Sequence, residues 1–194
     1  MDAFLVATGL VALAELGDKT QLLSLLLAAR FRRPVPILFG IAVATVLNHA
    51  LAAALGGLLA RWLPPEALRW LLALGFAAMA LWALRPDKLE GDPVARHGAL
   101  GVFGVTCVVF FLAEIGDKTQ LATVALAARY DDALVAVVLG TSLGMLLANA
   151  PVVLAGPRLL QRLPMTWVRR AAAAVFLVLA VLVLLAPAGA FASA

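Results

Sequence analysis

The heptapeptide ELGDKTQ at residues 15–21 lies inside an apolar stretch and recurs as EIGDKTQ at residues 114–120, inside a second apolar stretch. Residues 14–31 and 113–130 align at a constant offset of 99 residues, with 12 identities in 18 positions. Internal similarity at a fixed offset indicates a duplicated structural unit. The chain is therefore predicted to consist of two repeats, each with one copy of the charged heptapeptide.

The composition indicates an integral membrane protein. Of the 194 residues, 64% are hydrophobic and 13% are charged, whereas a soluble domain has about 25% charged residues. The net charge of +4 comes mainly from arginines in short connections between apolar segments, where basic residues determine membrane topology. No continuous basic face is available to neutralise phosphates, so a nucleic-acid partner is not expected.

Six apolar segments approach or exceed the roughly 20 residues that a helix needs to cross a bilayer. Helices are expected because backbone groups in lipid must find their hydrogen-bond partners internally. The sequence thus predicts an all-α integral membrane protein with six transmembrane helices arranged as two inverted three-helix repeats. The predicted spans are residues 3–29, 35–60, 67–84, 99–128, 133–156 and 170–187. Repeat one is residues 1–85, the connecting loop is 86–98 and repeat two is 99–194.

The distribution of Lys and Arg outside the heptapeptides predicts the orientation. Connections after the first, third and fifth spans carry ten of these residues, and connections after the second and fourth carry three. Basic residues accumulate on the cytoplasmic side. We therefore expect a multi-pass protein of the bacterial inner membrane with both termini outside. The ten are Arg30, Arg32, Arg33, Arg85, Lys88, Arg96, Arg158, Arg162, Arg169 and Arg170; the three are Arg61, Arg69 and Arg129.

The heptapeptides supply the ligands for a predicted metal site. On a continuous helix, the two carboxylates and the glutamine of one copy form a single arc of oxygen-bearing side chains. Gly17 falls on the opposite side, where it permits close helix contact or a local break. Inverted repeats bring equivalent elements together near the membrane midplane, and oxygen ligands suit Ca²⁺ or Mn²⁺. The predicted metal ligands are Glu15, Asp18, Gln21, Glu114, Asp117 and Gln120.

A purely structural interpretation is also available, because Glu15 and Lys19 are spaced as an i,i+4 ion pair. Each heptapeptide would then be a self-neutralised helix whose charges hold the bundle together. Ionisable residues inside a membrane are costly and usually mark functional sites, so the metal site is favoured. Cation binding to carboxylates releases protons, which is the minimal chemistry of a cation/proton antiporter.

Other polar residues of the apolar segments have simpler interpretations. His49 is expected to be packed or hydrogen-bonded between helices, and Asn48 and Asn149 to hold neighbouring helices together. Cys107 is a lone cysteine and is expected to pack in the core.

The twin Glu-x-Gly-Asp-Lys-Thr motif, in a small protein with six predicted spans, closely resembles the family of calcium/manganese:proton antiporters. That family includes the Golgi manganese transporter of eukaryotes and manganese exporters of bacteria, and the resemblance covers essentially the whole chain. It implies alternating access and export of surplus Mn²⁺ from the cytoplasm. It also implies that Glu15, Asp18, Glu114 and Asp117 are central to transport, with Gln21 and Gln120 as supporting ligands.

The sequence thus predicts a secondary active transporter that exchanges Mn²⁺ or Ca²⁺ for protons across the lipid bilayer. The alternatives are an exporter of a cationic amino acid and a passive divalent-cation channel. An enzyme is not expected, because nothing resembles an activated nucleophile or an open catalytic metal site. No cofactor is expected beyond the transported cation, and a homodimer is compatible with the sequence.

Overall fold

The computed structural model describes residues 1–85, 101–156 and 165–187, and in these ranges every regular element is a helix. The predicted connecting loop 86–98 lies outside the described residues, as do residues 157–164. The helices are α1 (Asp2–Glu15), α2 (Lys19–Phe31), α3 (Pro34–Trp62), α4 (Pro65–Ala83), α5 (Gly101–Glu114), α6 (Lys118–Arg129), α7 (Leu134–Ala155) and α8 (Met165–Leu185). A short 3₁₀ turn, Asp131–Ala133, leads into α7.

Four of these helices are long and apolar enough to cross a membrane: α3, α4, α7 with its preceding turn, and α8. They correspond to the second, third, fifth and sixth predicted spans. Their large apolar side chains are exposed on one side, as for Phe39 and Leu51 of α3, which is expected where the neighbour is lipid. The prediction of an all-α fold is confirmed.

The first and fourth predicted spans are each divided in two, and the break falls inside the heptapeptide. Helix α1 ends at Glu15 and α2 begins at Lys19, while α5 ends at Glu114 and α6 begins at Lys118. The continuous-helix geometry used to place Glu15, Asp18 and Gln21 on one arc is therefore wrong.

The Gly-Asp dipeptide explains both breaks. Gly17 has φ +80° and Gly116 has φ +73°, a left-handed conformation that glycine adopts without steric cost and that commonly follows a helix end. The next residue then caps a new helix. The Oδ2 atom of Asp18 accepts a hydrogen bond from the Thr20 amide at 3.3 Å, and Asp117 does the same for Thr119 at 3.5 Å.

The two halves of the chain pack on each other rather than forming separate bundles. Helix α1 of the first half packs against α7 of the second, and α5 of the second packs against α3 of the first. Both contacts are close: a Cβ atom at Gly140 would lie 2.5 Å from the Phe4 carbonyl oxygen, and one at Gly40 would lie 2.6 Å from Cβ of Thr106. The partly exposed Cys107 lies at the second contact, where its Sγ donates to the Gly40 carbonyl at 3.6 Å.

The outer helices α4 and α8 also pair across the two halves. The rings of Phe76 and Phe176 stack between them with centroids 6.4 Å apart. This pair contributes to a buried apolar cluster that also includes residues of α1, α3, α6 and α7.

The close α1–α7 contact leads to a stability prediction. Gly140→Ala should lower the free energy of unfolding by about 1–3 kcal/mol, since the added methyl group meets backbone atoms and the helices must separate. Gly75→Ala is the matched control, because nothing lies within 4 Å of a Cβ atom at Gly75. Thermal unfolding of the purified variants should show a loss only for Gly140→Ala. Equal melting temperatures for the two variants would contradict the packing described for α1 and α7.

Candidate functional site

The two helix breaks bring the heptapeptides together in the interior. Glu15 and Glu114 end their helices, and Asp18 and Asp117 begin the next ones. All four carboxylates are buried. Single oxygen atoms of Glu15, Glu114 and Asp117 lie within 4.8 Å of one another. Carboxylates from both halves of the chain therefore meet in one cluster that is compact enough to hold a cation.

The lysines of the heptapeptides pair with the opposite copy. Nζ of Lys19 lies 2.9 Å from Oδ1 of Asp117, and Nζ of Lys118 forms an ion pair with Oδ1 of Asp18. The i,i+4 pair of Glu15 and Lys19, on which the purely structural interpretation depends, is not formed among the described residues, because the helix ends between these two residues. The two ion pairs instead cross the interface between the repeats.

Threonine hydroxyl groups orient the two glutamates. Oγ1 of Thr20 donates to Oε2 of Glu15 at 2.5 Å, and Oγ1 of Thr119 donates to Oε2 of Glu114 at 3.0 Å. The second oxygen of each glutamate, Oε1, is buried and has no hydrogen-bond partner among the described residues. An unpaired buried carboxylate oxygen is costly, so these two atoms are the ones in the site that a cation would most readily stabilise.

The two glutamines hold the helix breaks in shape. The Gly17 amide donates to Oε1 of Gln21 at 2.8 Å, and the Gly116 amide donates to Oε1 of Gln120 at 2.7 Å. Nε2 of Gln21 also donates to the Ala148 carbonyl at 2.9 Å, which ties α2 to α7. A carbonyl oxygen has a second lone pair, so the ligand role predicted for Gln21 and Gln120 stays a prediction beside this observed one.

The asparagines connect helices, as expected. Nδ2 of Asn48 on α3 donates to the Phe111 carbonyl on α5 at 3.0 Å, and Oγ of Ser24 on α2 donates to Oδ1 of Asn149 on α7 at 2.7 Å. His49 is buried, and its ring nitrogens have no hydrogen-bond partner in the described part of the chain. It does not belong to the carboxylate cluster, in agreement with its interpretation as a packed residue.

Comparison with known proteins identifies the family. The family profile described as "Divalent cation/proton antiporter GDT1" matches twice, over residues 3–91 and 102–190. The chain belongs to this divalent cation/proton antiporter family. The two matches also support the duplication, with one unit in each half.

Relatives in bacteria and plants agree with this assignment. A protein of Vibrio cholerae serotype O1 named "Putative manganese exporter" is 51% identical over 180 residues, which covers 93% of this chain and 89% of the relative. The "GDT1-like protein sll0615" of Synechocystis is 29% identical over 151 residues, 66% of this chain and 71% of the relative. A rice "GDT1-like protein 4" is 27% identical over 186 residues, 84% of this chain and 65% of the relative. No solved structure matches the chain.

Membership of the antiporter family confirms the resemblance recognised in the sequence and the expectation that the protein is a multi-pass membrane transporter rather than an enzyme. Sequence reasoning missed two features of the site. The first is the crossed pairing of Lys19 and Lys118, and the second is the orienting role of Thr20 and Thr119. The sequence feature that could have indicated both is the identical Lys-Thr dipeptide in the two copies. It places an ammonium group and a hydroxyl group directly after each capping aspartate.

The hydroxyl that orients Glu15 can be tested by an isosteric substitution. Thr20→Val should lower the free energy of unfolding by about 1–3 kcal/mol, because it leaves a second oxygen of the buried Glu15 carboxylate without a partner. Thr8→Val is the matched control, since Oγ1 of Thr8 donates only to the Phe4 carbonyl within its own helix. Thermal unfolding would be measured for both, and Thr20→Ser should behave as the wild type. A Thr20→Val variant as stable as Thr8→Val would exclude this role for the hydroxyl.

Proposed function

We propose that the protein is a secondary active transporter that exchanges a divalent cation for protons and exports the cation from the cytoplasm by alternating access. The observation that carries the proposal is the cluster of buried carboxylate oxygens from both halves of the chain, within 4.8 Å of one another. The family assignment supports the same chemistry.

The ligand chemistry favours Mn²⁺ as the transported cation, with Ca²⁺ as the second candidate. Glu15, Asp18, Glu114 and Asp117 supply hard oxygen ligands, which both ions accept. Gln21 and Gln120 are proposed as supporting ligands through their carbonyl oxygens. The name of the 51% identical relative supports Mn²⁺ over Ca²⁺.

Proton coupling follows from the use of the same oxygen atoms by both substrates. A carboxylate must be deprotonated to bind a cation, so cation binding expels protons and protonation expels the cation. Four carboxylates and two lysines meet in the interior. A proton and a divalent cation are alternative ways to reduce the excess negative charge of this site.

The proposed architecture has six spans in two inverted three-helix repeats. The four continuous helices account for four spans. The paired half-helices, α1 with α2 and α5 with α6, account for the first and fourth. Discontinuous helices at the meeting point of two repeats are typical of secondary transporters, in which helix termini and unwound backbone form the substrate site. Rocking of one repeat against the other would expose the site to either side in turn.

Transport by reconstituted protein tests the exchange. Proteoliposomes with an acidic interior should accumulate Mn²⁺ as protons leave, and collapse of the pH gradient should stop the accumulation. Mn²⁺ uptake that does not depend on the pH gradient would indicate a channel. Uptake of arginine or lysine, with no uptake of Mn²⁺, would indicate a cationic amino acid exporter. Ca²⁺ added as a competitor would show the preference between the two cations.

Charge removal at the capping aspartates should abolish this transport. In Asp18→Asn and Asp117→Asn the side chain keeps its size and its ability to cap a helix, while cation binding should be lost. Asp117→Asn is the better-behaved variant, because its partner Lys19 is partly exposed, whereas Asp18→Asn removes the charge facing the buried Lys118 and should also lower the melting temperature. Asp132→Asn is the control, because Asp132 is exposed in the turn before α7. Normal Mn²⁺ uptake by either capping variant would refute a shared site for the two heptapeptides.

The proposed orientation places both termini outside the bacterial inner membrane. The basic residues accumulate in the odd-numbered connections, which predicts that those connections are in the cytoplasm and Ala194 in the periplasm. A reporter that functions in the periplasm should therefore be active when it is fused after Ala194. A second fusion within the connecting loop at residues 86–98 should give the opposite result. Activity of a cytoplasm-dependent reporter at Ala194 would reverse the orientation and, with it, the assignment of the exporting side.

A further inference from the structure

The lysines of the heptapeptides are not accounted for by the ligand chemistry, although they lie inside the site. Each lysine directly follows the aspartate of its own copy, yet its ammonium group pairs with the aspartate of the other copy. Both pairs use the Oδ1 atom of the aspartate. The other oxygen, Oδ2, receives the amide of the capped helix, so Oδ1 is the atom that each aspartate presents to the interior.

Under the proposed function, the transported cation uses the carboxylates of these two aspartates as ligands. An oxygen atom of Asp117 belongs to the cluster with Glu15 and Glu114, and Lys19 binds Asp117 through Oδ1. Two ammonium groups together carry the same charge as one divalent cation. The charge of the two aspartates is therefore balanced equally well by the two lysines or by the cation, but binding of the cation displaces the lysines from the two aspartates.

The two pairs differ in exposure. The side chain of Lys19 is 26% exposed, and that of Lys118 is 5% exposed, while both aspartates are buried. A buried ammonium group that loses its partner is strongly destabilising, whereas a partly exposed one can turn toward solvent at lower cost. Release of Lys19 from Asp117 is thus the easier of the two exchanges in this conformation.

We propose that Lys19 and Lys118 are tethered competitors of the transported cation. Each ammonium group holds the aspartate oxygen that the cation takes, and the Lys19–Asp117 pair is the first to open. The lysines also assist release, since they return to the aspartates and replace the departing cation. This inference rests on the proposed function and assigns the lysines the role of positioning residues that set affinity and turnover in opposite directions.

Charge removal at Lys19 separates this role from a purely structural one. In purified full-length protein, Lys19→Gln should bind Mn²⁺ at least about tenfold more tightly, as measured by titration calorimetry, because no ammonium group competes for Asp117. A tenfold change corresponds to about 1.4 kcal/mol. In proteoliposomes at saturating Mn²⁺ the same variant should turn over more slowly, since release is no longer assisted. A lysine that merely held the repeats together would give weaker Mn²⁺ binding when removed.

Three further variants complete the test. Lys19→Arg keeps the charge and should retain near wild-type affinity and measurable turnover. Arg61→Gln removes one positive charge from an exposed position at the end of α3 and should leave Mn²⁺ affinity unchanged. Lys118→Gln is the independent second variant, and it should also bind Mn²⁺ more tightly. Because the Lys118–Asp18 pair is buried, this variant should have a lower melting temperature than the wild type without Mn²⁺. Added Mn²⁺ should raise its melting temperature more than that of the wild type.

The outcomes distinguish the inference from the function on which it rests. If the wild type binds neither Mn²⁺ nor Ca²⁺, the proposed function fails and the competition fails with it. If the wild type binds Mn²⁺ but neither Lys19→Gln nor Lys118→Gln binds it more tightly, the transporter assignment stands and the competition is overturned. Tighter binding with slower turnover in either variant supports it.

Discussion

The crossed ion pairs between the two heptapeptides are the interaction on which the centre of the molecule depends. Four buried carboxylates in a membrane-spanning fold would not tolerate one another without positive charge close by. Lys19 and Lys118 supply that charge across the interface between the halves. Since neither heptapeptide neutralises itself, each half of the chain needs the other to bury its aspartate.

The breaks in α1–α2 and α5–α6 make this arrangement reachable. An uninterrupted helix would direct Lys19 back toward Glu15, one turn away on the same face. The left-handed Gly17 ends the first helix, and Asp18 starts the second. Glu15 therefore lies at a helix C-terminus, Asp18 at a helix N-cap and Lys19 in the first turn of the next helix. The partial positive charge of a helix N-terminus further stabilises each capping carboxylate. Asp18 and Asp117 thus both start a helix and have their negative charge stabilised by it.

Much of the fold was predictable, because length and hydropathy alone define a membrane-spanning helix. The predicted spans 35–60 and 67–84 agree with Pro34–Trp62 and Pro65–Ala83 within a few residues. The residues of the site were predictable, but the helix break within each heptapeptide and the pairing of the charged side chains were not. Gly-Asp carries both helix-stop and helix-start signals, yet the long apolar run around it favoured one continuous helix. The crossed lysine pairs depend on how α2 and α6 approach each other, and this is a tertiary property with no counterpart in sequence spacing.

The small departures from symmetry at the site are as informative as the symmetry. Two copies of one sequence would be expected to fold alike, but Lys19 is markedly more exposed than Lys118, whereas Gln21 is buried and Gln120 is only partly so. A conformation in which the two copies exchange these environments would use the same kinds of ion pair, Lys19 with Asp117 and Lys118 with Asp18. Under the proposed inverted architecture, that exchange would move the more exposed lysine pair from one face of the membrane to the other. Access to the carboxylates would then alternate between two states that rely on equivalent ion pairs, and states of similar free energy are both populated, as a transporter requires.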